Sequence, residues 1–85
     1  MDISRAEQRI LHLLAQGGRI ELVRDDTRKI EKITLYTRDG WIFGGLDLPT
    51  FRKLKQKRAI ASSGGKPYRI TTRGLELVRG ELDNR

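Results

Sequence analysis

The chain has 85 residues, with 18 Lys and Arg against 11 Asp and Glu, and its formal net charge is +7. This length allows one domain, and the absence of cysteine excludes a disulfide framework and a thiolate metal site. No apolar stretch approaches the roughly 20 residues that span a bilayer, and the N-terminus lacks the basic-then-apolar order of a signal peptide, so we expect a cytoplasmic protein without a membrane segment.

The first predicted element is a helix that begins after Ser4. Ser4 and Glu7 are spaced as a capping box, in which each side chain binds the backbone N–H of the other residue. Helical spacing then places five apolar side chains on one stripe: Ile3, Ala6, Ile10, Leu13 and Leu14. Gly17 and Gly18 end the helix, because glycine adopts the left-handed backbone that a helix terminus favours.

A period of two replaces the helical period in the next stretch and predicts three strands. Apolar and polar side chains alternate from Ile20, and residues 25–28 then form a turn. A second strand covers residues 29–37, with a bulge near Ile30 because this side chain is out of phase with the apolar ones that follow. A further turn leads into a third strand at residues 41–43, so we expect an antiparallel meander.

A second helix opens at residues 48–49, where proline lacks an N–H that the first helical turn does not need. Three apolar side chains share one of its faces: Leu48, Phe51 and Leu54. The opposite face is polar and carries Arg52, Lys53, Gln56 and Lys57. The helix is expected to end near Lys57 or Arg58, since a longer helix would place Arg58 within the apolar arc.

Two short strands and a third helix complete the chain. Residues 59–61 and 67–71 flank a glycine-containing turn and are typical of a hairpin. Thr71 or Thr72 caps the last helix, whose apolar face carries Leu75, Val78 and Leu82. We therefore predict one α+β domain over residues 1–85: N-terminal helix, three-stranded antiparallel meander, basic helix, β-hairpin and C-terminal helix.

The net charge is confined to residues 48–75, which hold eight basic side chains and no acidic one. The first 47 residues carry eight of each sign, and the last ten carry a net charge of minus one. A localised field acts on partner choice and encounter rate, not on the fold. The segment therefore favours nucleic acid or another anionic partner, and the alternative is the ordinary solvated face of a small basic domain.

The order of elements over residues 48–82 resembles the back half of a winged-helix domain. In that geometry a helix enters the major groove of DNA, and a hairpin, the wing, contacts the phosphate backbone. Six side chains are candidates for binding nucleic acid or a partner: Arg52, Lys53, Gln56, Lys57, Lys66 and Arg69. Gln can pair with adenine, and Arg can bind guanine or phosphate. A helix-turn-helix needs two tandem helices, whereas here a meander precedes the basic helix, so the likeness covers this half alone.

No group of residues predicts catalysis or metal binding. His12 is the single histidine, and one imidazole forms neither a metal site nor a triad. Asp25 and Asp26 in a polar turn are typical of local backbone capping, and residues 64–66 lack the rest of a phosphate-binding loop. Aromatic side chains can stack on bases, but strand spacing assigns these to the core: Tyr36, Trp41, Phe43 and Tyr68. We expect a binding protein without a cofactor or an enzyme activity.

A set of residues along the whole chain matches a family pattern. It comprises Ser4, Arg5, Glu7, Gln8, Leu11, His12, Leu14, Ala15, Gly18, Arg38, Gly40, Trp41, Phe51, Leu54, PYRI at 67–70 and LDNR at 82–85. Together these resemble the YjhX-like family of small bacterial proteins. The resemblance implies a toxin of a toxin–antitoxin pair that inhibits DNA topoisomerase I by direct contact, with an acetyltransferase-like antitoxin as its partner. It marks Tyr68, Arg69 and residues 83–85 as family-typical, without assigning them a role.

Two functions therefore remain open at the level of sequence. The first is a non-enzymatic toxin that docks its basic helix on an acidic or DNA-adjacent surface of topoisomerase I. The alternative is a winged-helix-like transcriptional regulator that places the same helix face on duplex DNA. An interaction protein without toxicity is a third possibility.

Overall fold

The structure, a computed structural model, describes residues 3–83, with the backbone alone at 81–83. Its elements in chain order are α1 (Arg5–Ala15), β1 (Arg19–Arg24), β2 (Ile30–Tyr36), β3 (Ile42–Phe43), α2 (Leu48–Gln56), β4 (Ile60–Ala61), β5 (Arg69–Ile70) and α3 (Thr72–Asp83). This order confirms the predicted α+β arrangement. The LDNR motif at residues 82–85 lies outside the described side chains.

Helix α1 begins and ends at the predicted signals. The Ser4 hydroxyl accepts a hydrogen bond from the Glu7 N–H at 3.1 Å, and Glu7 Oε1 accepts one from the Ser4 N–H at 2.8 Å. The helix ends at Ala15, with Gln16 as C-cap and Gly17 at φ +114°. Gly17 therefore adopts a backbone conformation with positive φ, which residues other than glycine rarely tolerate.

The buried stripe of α1 differs from the predicted one by a rotation of the helix. The buried face carries Ile3, Glu7, Ile10, Leu11 and Leu14. Ala6 is exposed and Leu13 is half-buried, so the helix is turned by roughly 60° relative to the predicted stripe. The rotation places the carboxylate of Glu7 at the centre of an apolar face. That position is tolerable because Glu7 is both hydrogen-bonded and paired with a cation from α2.

Strands β1, β2 and β3 form the predicted antiparallel meander, in that spatial order. The register of β1 against β2 shifts between Val23 and Arg24, and Arg24 pairs with Ile30. This shift confirms the bulge expected near Ile30. In the connecting turn, Asp25 Oδ1 accepts hydrogen bonds from the N–H groups of Thr27 at 2.8 Å and Lys29 at 3.0 Å. The acidic turn therefore caps its own backbone, as predicted.

The β4–β5 hairpin joins the meander through a single pair of residues. Ile20 N–H donates to the Tyr68 carbonyl at 3.0 Å, and Tyr68 N–H donates to the Ile20 carbonyl at 2.8 Å. Helix α3 begins at Thr72, and the hydroxyl of Thr71 just before it accepts a hydrogen bond from the Gly74 N–H at 3.0 Å. Strand β1 thus pairs with β2 along one edge and contacts the hairpin along the other.

The core lies where the three helices meet β1 and the hairpin, and its residues are Ile3, Ile10, Leu11, Leu14, Ile20, Leu35, Phe51, Leu54, Ala59, Ile60, Leu77 and Val78. The Tyr68 ring packs edge-on against Phe51, with the centroids 5.1 Å apart. The assignment of Trp41 to the core is wrong, because Trp41 is 75% exposed and Ile42 beside it is 66% exposed. Strand β3 has two residues and lies at the edge of the sheet, where Trp41 precedes it.

Candidate partner interface

Helix α2 is held at its start and along one face, which fixes what it presents to solvent. Asp47 caps the helix by accepting a hydrogen bond from the Thr50 N–H at 2.9 Å. Hydrogen bonds from Thr50 hold the pKa of Asp47 below its usual value, so the cap is charged at neutral pH. Phe51 and Leu54 are buried in the core. The opposite face of α2 must therefore project outward.

Arg52, Lys53 and Gln56 share that outward face, and all three are exposed. We call these three residues the basic face. Among the residues that the structure describes, neither Arg52 nor Lys53 takes part in an ion pair. No acidic side chain lies between residues 48 and 75, so nothing within this segment neutralises the basic face. Such a face can bind phosphate or carboxylate groups of a partner.

Lys57 does not belong to the basic face, and the expectation that it projects outward with the other three side chains is wrong. Its Nζ lies 2.9 Å from Glu7 Oε1 and 3.0 Å from Glu7 Oε2. The Lys57 side chain is 33% exposed, and that of Glu7 is 4% exposed. The pair connects the C-cap of α2 to the first turn of α1. Lys57 therefore stabilises the position of α2, and a partner role for it stays a prediction.

The pKa of Glu7 reflects this burial and pairing. Burial alone raises the pKa of the Glu7 carboxyl, because it penalises the charged form. The Ser4 N–H and the Lys57 ammonium outweigh burial, and the pKa of Glu7 lies below its usual value of 4.5. Glu7 is therefore a buried anion at neutral pH, and the sequence reasoning recognised its capping role but not its partner.

Arg58 ends the helix in a left-handed conformation. Its φ is +58°, its side chain is exposed, and its carbonyl accepts a hydrogen bond from the Thr71 hydroxyl at 2.6 Å. The helix end predicted near Lys57 or Arg58 is confirmed, since Lys57 is the C-cap. The left-handed backbone turns Arg58 out of the apolar arc that a continued helix would have given it.

Arg69 and Lys66 lie on the hairpin and do not join the basic face. The Arg69 guanidinium donates to the carbonyl oxygens of Gly17 at 3.1 Å and Gly18 at 3.2 Å. It thereby binds carbonyl groups at the end of α1 and holds the hairpin against that end. Lys66 is exposed near the hairpin tip, and its N–H donates to the Ser63 carbonyl at 3.1 Å. A partner role for either residue stays a prediction.

Lys55 is a cation near the basic face that the sequence reasoning did not select. Its Nζ lies 5.9 Å from the centroid of the Tyr68 ring, within the range of a cation–π contact. Helical spacing places Lys55 at the border between the apolar and polar faces of α2, and this position is the sequence feature that could have indicated such a contact. The contact links the basic helix to the hairpin.

Among the side chains that the structure describes, at residues 3–80, no cluster of three or more acidic, histidine or cysteine side chains is placed to hold a metal ion. In the same part of the chain, no helix has the length and apolar content needed to cross a membrane.

Comparison with known proteins identifies the family. The profile of the YjhX toxin family, described as "Putative toxin of bacterial toxin-antitoxin pair", matches residues 1–85. A UPF0386 protein of Agrobacterium fabrum is 99% identical over the full length of both chains, and one of Rhizobium etli is 69% identical over the same span. A third, from Hyphomonas neptunium, is 67% identical over 99% of each chain. No solved structure matches the chain. The chain therefore belongs to the YjhX toxin family, together with these UPF0386 proteins.

Proposed function

We propose that this protein is a non-enzymatic toxin that inhibits DNA topoisomerase I by direct contact through the basic face. The family description supports a toxin. The observation that carries the proposal is the joint exposure of Arg52, Lys53 and Gln56 on a capped helix that itself contains no acidic residue. An antitoxin partner follows from membership of a toxin–antitoxin pair, and we propose an acetyltransferase-like protein in that role.

The physical basis of the proposal is the fixed position of the two cations. Helix α2 is capped by Asp47, and it is held to the core by Phe51 and to α1 by the ion pair between Lys57 and Glu7. A partner therefore meets Arg52 and Lys53 on a helix that is already in place, and binding orders the two side chains alone. An acidic or DNA-adjacent surface of the topoisomerase would complement them.

A plasmid relaxation assay with purified bacterial topoisomerase I tests this function. We expect the wild-type protein to inhibit relaxation of supercoiled DNA, and the double variant Arg52→Glu/Lys53→Glu to need roughly tenfold more protein for the same inhibition. The matched control is Lys29→Glu/Lys32→Glu, which makes the same charge change at two exposed positions near the β1–β2 turn. Unaffected relaxation with excess wild-type protein would refute the proposed mechanism.

Lys57 is left out of the charge reversal for a structural reason. A glutamate at position 57 would face the buried carboxylate of Glu7, so a loss of inhibition would report a loss of folding. Arg52 and Lys53 are exposed, and their reversal leaves the core contacts of α2 unchanged.

A winged-helix-like transcriptional regulator is the second candidate, and one observation favours it. The hairpin that follows the basic helix pairs with β1 at Ile20 and Tyr68, which gives the wing-like element a fixed base. A regulator would bind duplex DNA with a log–log salt slope near −0.9 per phosphate contacted. No binding to duplex at low salt would exclude this candidate. In the relaxation assay, rescue by added enzyme indicates the toxin, whereas rescue by added DNA indicates the regulator.

A further inference from the structure

A groove of about 640 Å³ lies between β1 and the β4–β5 hairpin. Its lining residues include Leu22, Arg24, Lys66, Pro67 and Tyr68. We propose that this groove binds an extended acidic segment of a partner protein, which adds as a strand to the free edge of β1. The inference uses other residues than the proposed toxin function and is independent of it.

The backbone of β1 supplies the first argument. Ile20 directs its N–H and carbonyl away from β2, because both bind Tyr68 on the hairpin. In an antiparallel pair the hydrogen-bonding direction alternates from residue to residue, so Leu22 directs its N–H and carbonyl to the same side as Ile20. These two groups therefore point towards the groove, and β2 cannot bind them.

The hairpin does not continue the ladder that begins at Tyr68. Continued pairing would place Lys66 opposite Leu22, but the Lys66 N–H donates to Ser63 within the hairpin's own turn. Within residues 3–83, one pair thus closes the end of the groove while the adjacent edge of β1 has no partner strand. An open edge of this kind is a template for strand addition.

The walls of the groove indicate the chemistry of the added strand. Leu22, Pro67 and Tyr68 offer apolar surface, and Arg24 and Lys66 are exposed cations. The one acidic lining residue, Glu21, is paired with Arg19 at 2.8 Å. The groove therefore complements alternating apolar and acidic side chains.

Other occupants fit this groove less well. A second copy of the chain would bring a net charge of +7 to an edge that already carries Arg24 and Lys66. Nucleic acid matches the charge but lacks the alternating amide groups that Leu22 would bind. Both remain as outcomes that the experiment can reveal.

A fluorescently labelled, capped seven-residue peptide of alternating glutamate and valine is the probe. We expect it to bind the full-length protein in an anisotropy titration, and hydrogen exchange of the Leu22 N–H to slow on binding. A matched peptide with N-methyl groups on alternate residues keeps the charge and loses the edge hydrogen bonds. A second control replaces glutamate by lysine. Each control should bind at least roughly tenfold more weakly.

Two variants locate the site. Leu22→Pro removes the N–H at the free edge. Because this N–H points away from β2, the hydrogen bonds between β1 and β2 are kept, and peptide affinity should fall roughly tenfold. Arg24→Glu/Lys66→Glu should reduce affinity for the acidic peptide and raise it for the lysine peptide. Circular dichroism checks folding, and if Leu22→Pro unfolds, the N-methyl comparison on the wild-type protein decides. Three results would each overturn the proposal. The parent and N-methyl peptides bind equally well, the parent peptide binds no tighter than about 1 mM, or self-association of the protein displaces the peptide.

Discussion

The ion pair between Lys57 and Glu7 makes a quantitative prediction about stability. Lys57→Met keeps an unbranched side chain of similar length and removes its charge. The Glu7 carboxylate would then remain in the core with the Ser4 N–H as its hydrogen-bond donor. Removing one member of a buried pair is costly, because the remaining charge keeps its desolvation penalty and loses its partner.

The size of the effect follows from the burial of the two side chains. Breaking a fully buried pair costs about 3–5 kcal/mol. Because the Lys57 side chain is 33% exposed, solvent already weakens the attraction, and we expect a loss of about 2 kcal/mol at neutral pH. For a domain of this size, that loss lowers the melting temperature by roughly 10 °C.

Urea and thermal unfolding followed by circular dichroism measure the free energy of unfolding directly. The matched control is Lys53→Met, which removes an exposed lysine from the same helix and should change stability by less than about 0.5 kcal/mol. If Lys57→Met and Lys53→Met were equally stable, Lys57 would contribute no more to the free energy of unfolding than a surface cation does. That result would refute the assignment of Lys57 to the fold and return it to the basic face.

Two further predictions concern Glu7 and Gly74. Because the folded-state pKa of Glu7 lies below 4.5, its ionised form adds stability that is present above pH 4.5 and is lost as the pH falls through the folded pKa. Urea titrations should show Glu7→Gln about 1 kcal/mol less stable than wild type at pH 7, and a gap that does not narrow as the pH falls below 4.5 would contradict this. Gly74→Ala should destabilise by about 1–2 kcal/mol, because a Cβ there meets the Ala59 carbonyl and lies 2.6 Å from Ile70 Cγ1. Gly80→Ala, in the same helix with open space around it, should instead stabilise by about 0.5–1 kcal/mol, and equal effects at both positions would count against the packing argument.

The order of elements was predictable because its signals are local. The capping box of Ser4 and Glu7, the proline opening α2 and the threonine opening α3 each act within one helical turn. The bulge near Ile30 followed from a phase change within a single strand. Exposure of Arg52, Lys53 and Gln56 followed from helical spacing alone.

Contacts between distant residues were not predictable in this way. The rotation of α1 depends on Glu7 meeting Lys57, which is 50 residues away in the chain. The pairing of Ile20 with Tyr68 spans a similar distance and creates the groove beside β1. The exposure of Trp41 depends on how the edge of the sheet meets the rest of the fold, which strand periodicity does not report.

The sequence by itself determined the family, the order of helices and strands, and the concentration of positive charge in residues 48–75. These properties follow from composition and from interactions within a few residues. The tertiary structure decided which cations face solvent and which hold the fold together. Lys57 pairs with a buried carboxylate and Arg69 binds carbonyl groups at the end of α1, whereas Arg52 and Lys53 form no ion pair among the described residues. The physical reason is that a lysine or arginine takes its role from the groups that folding brings beside it.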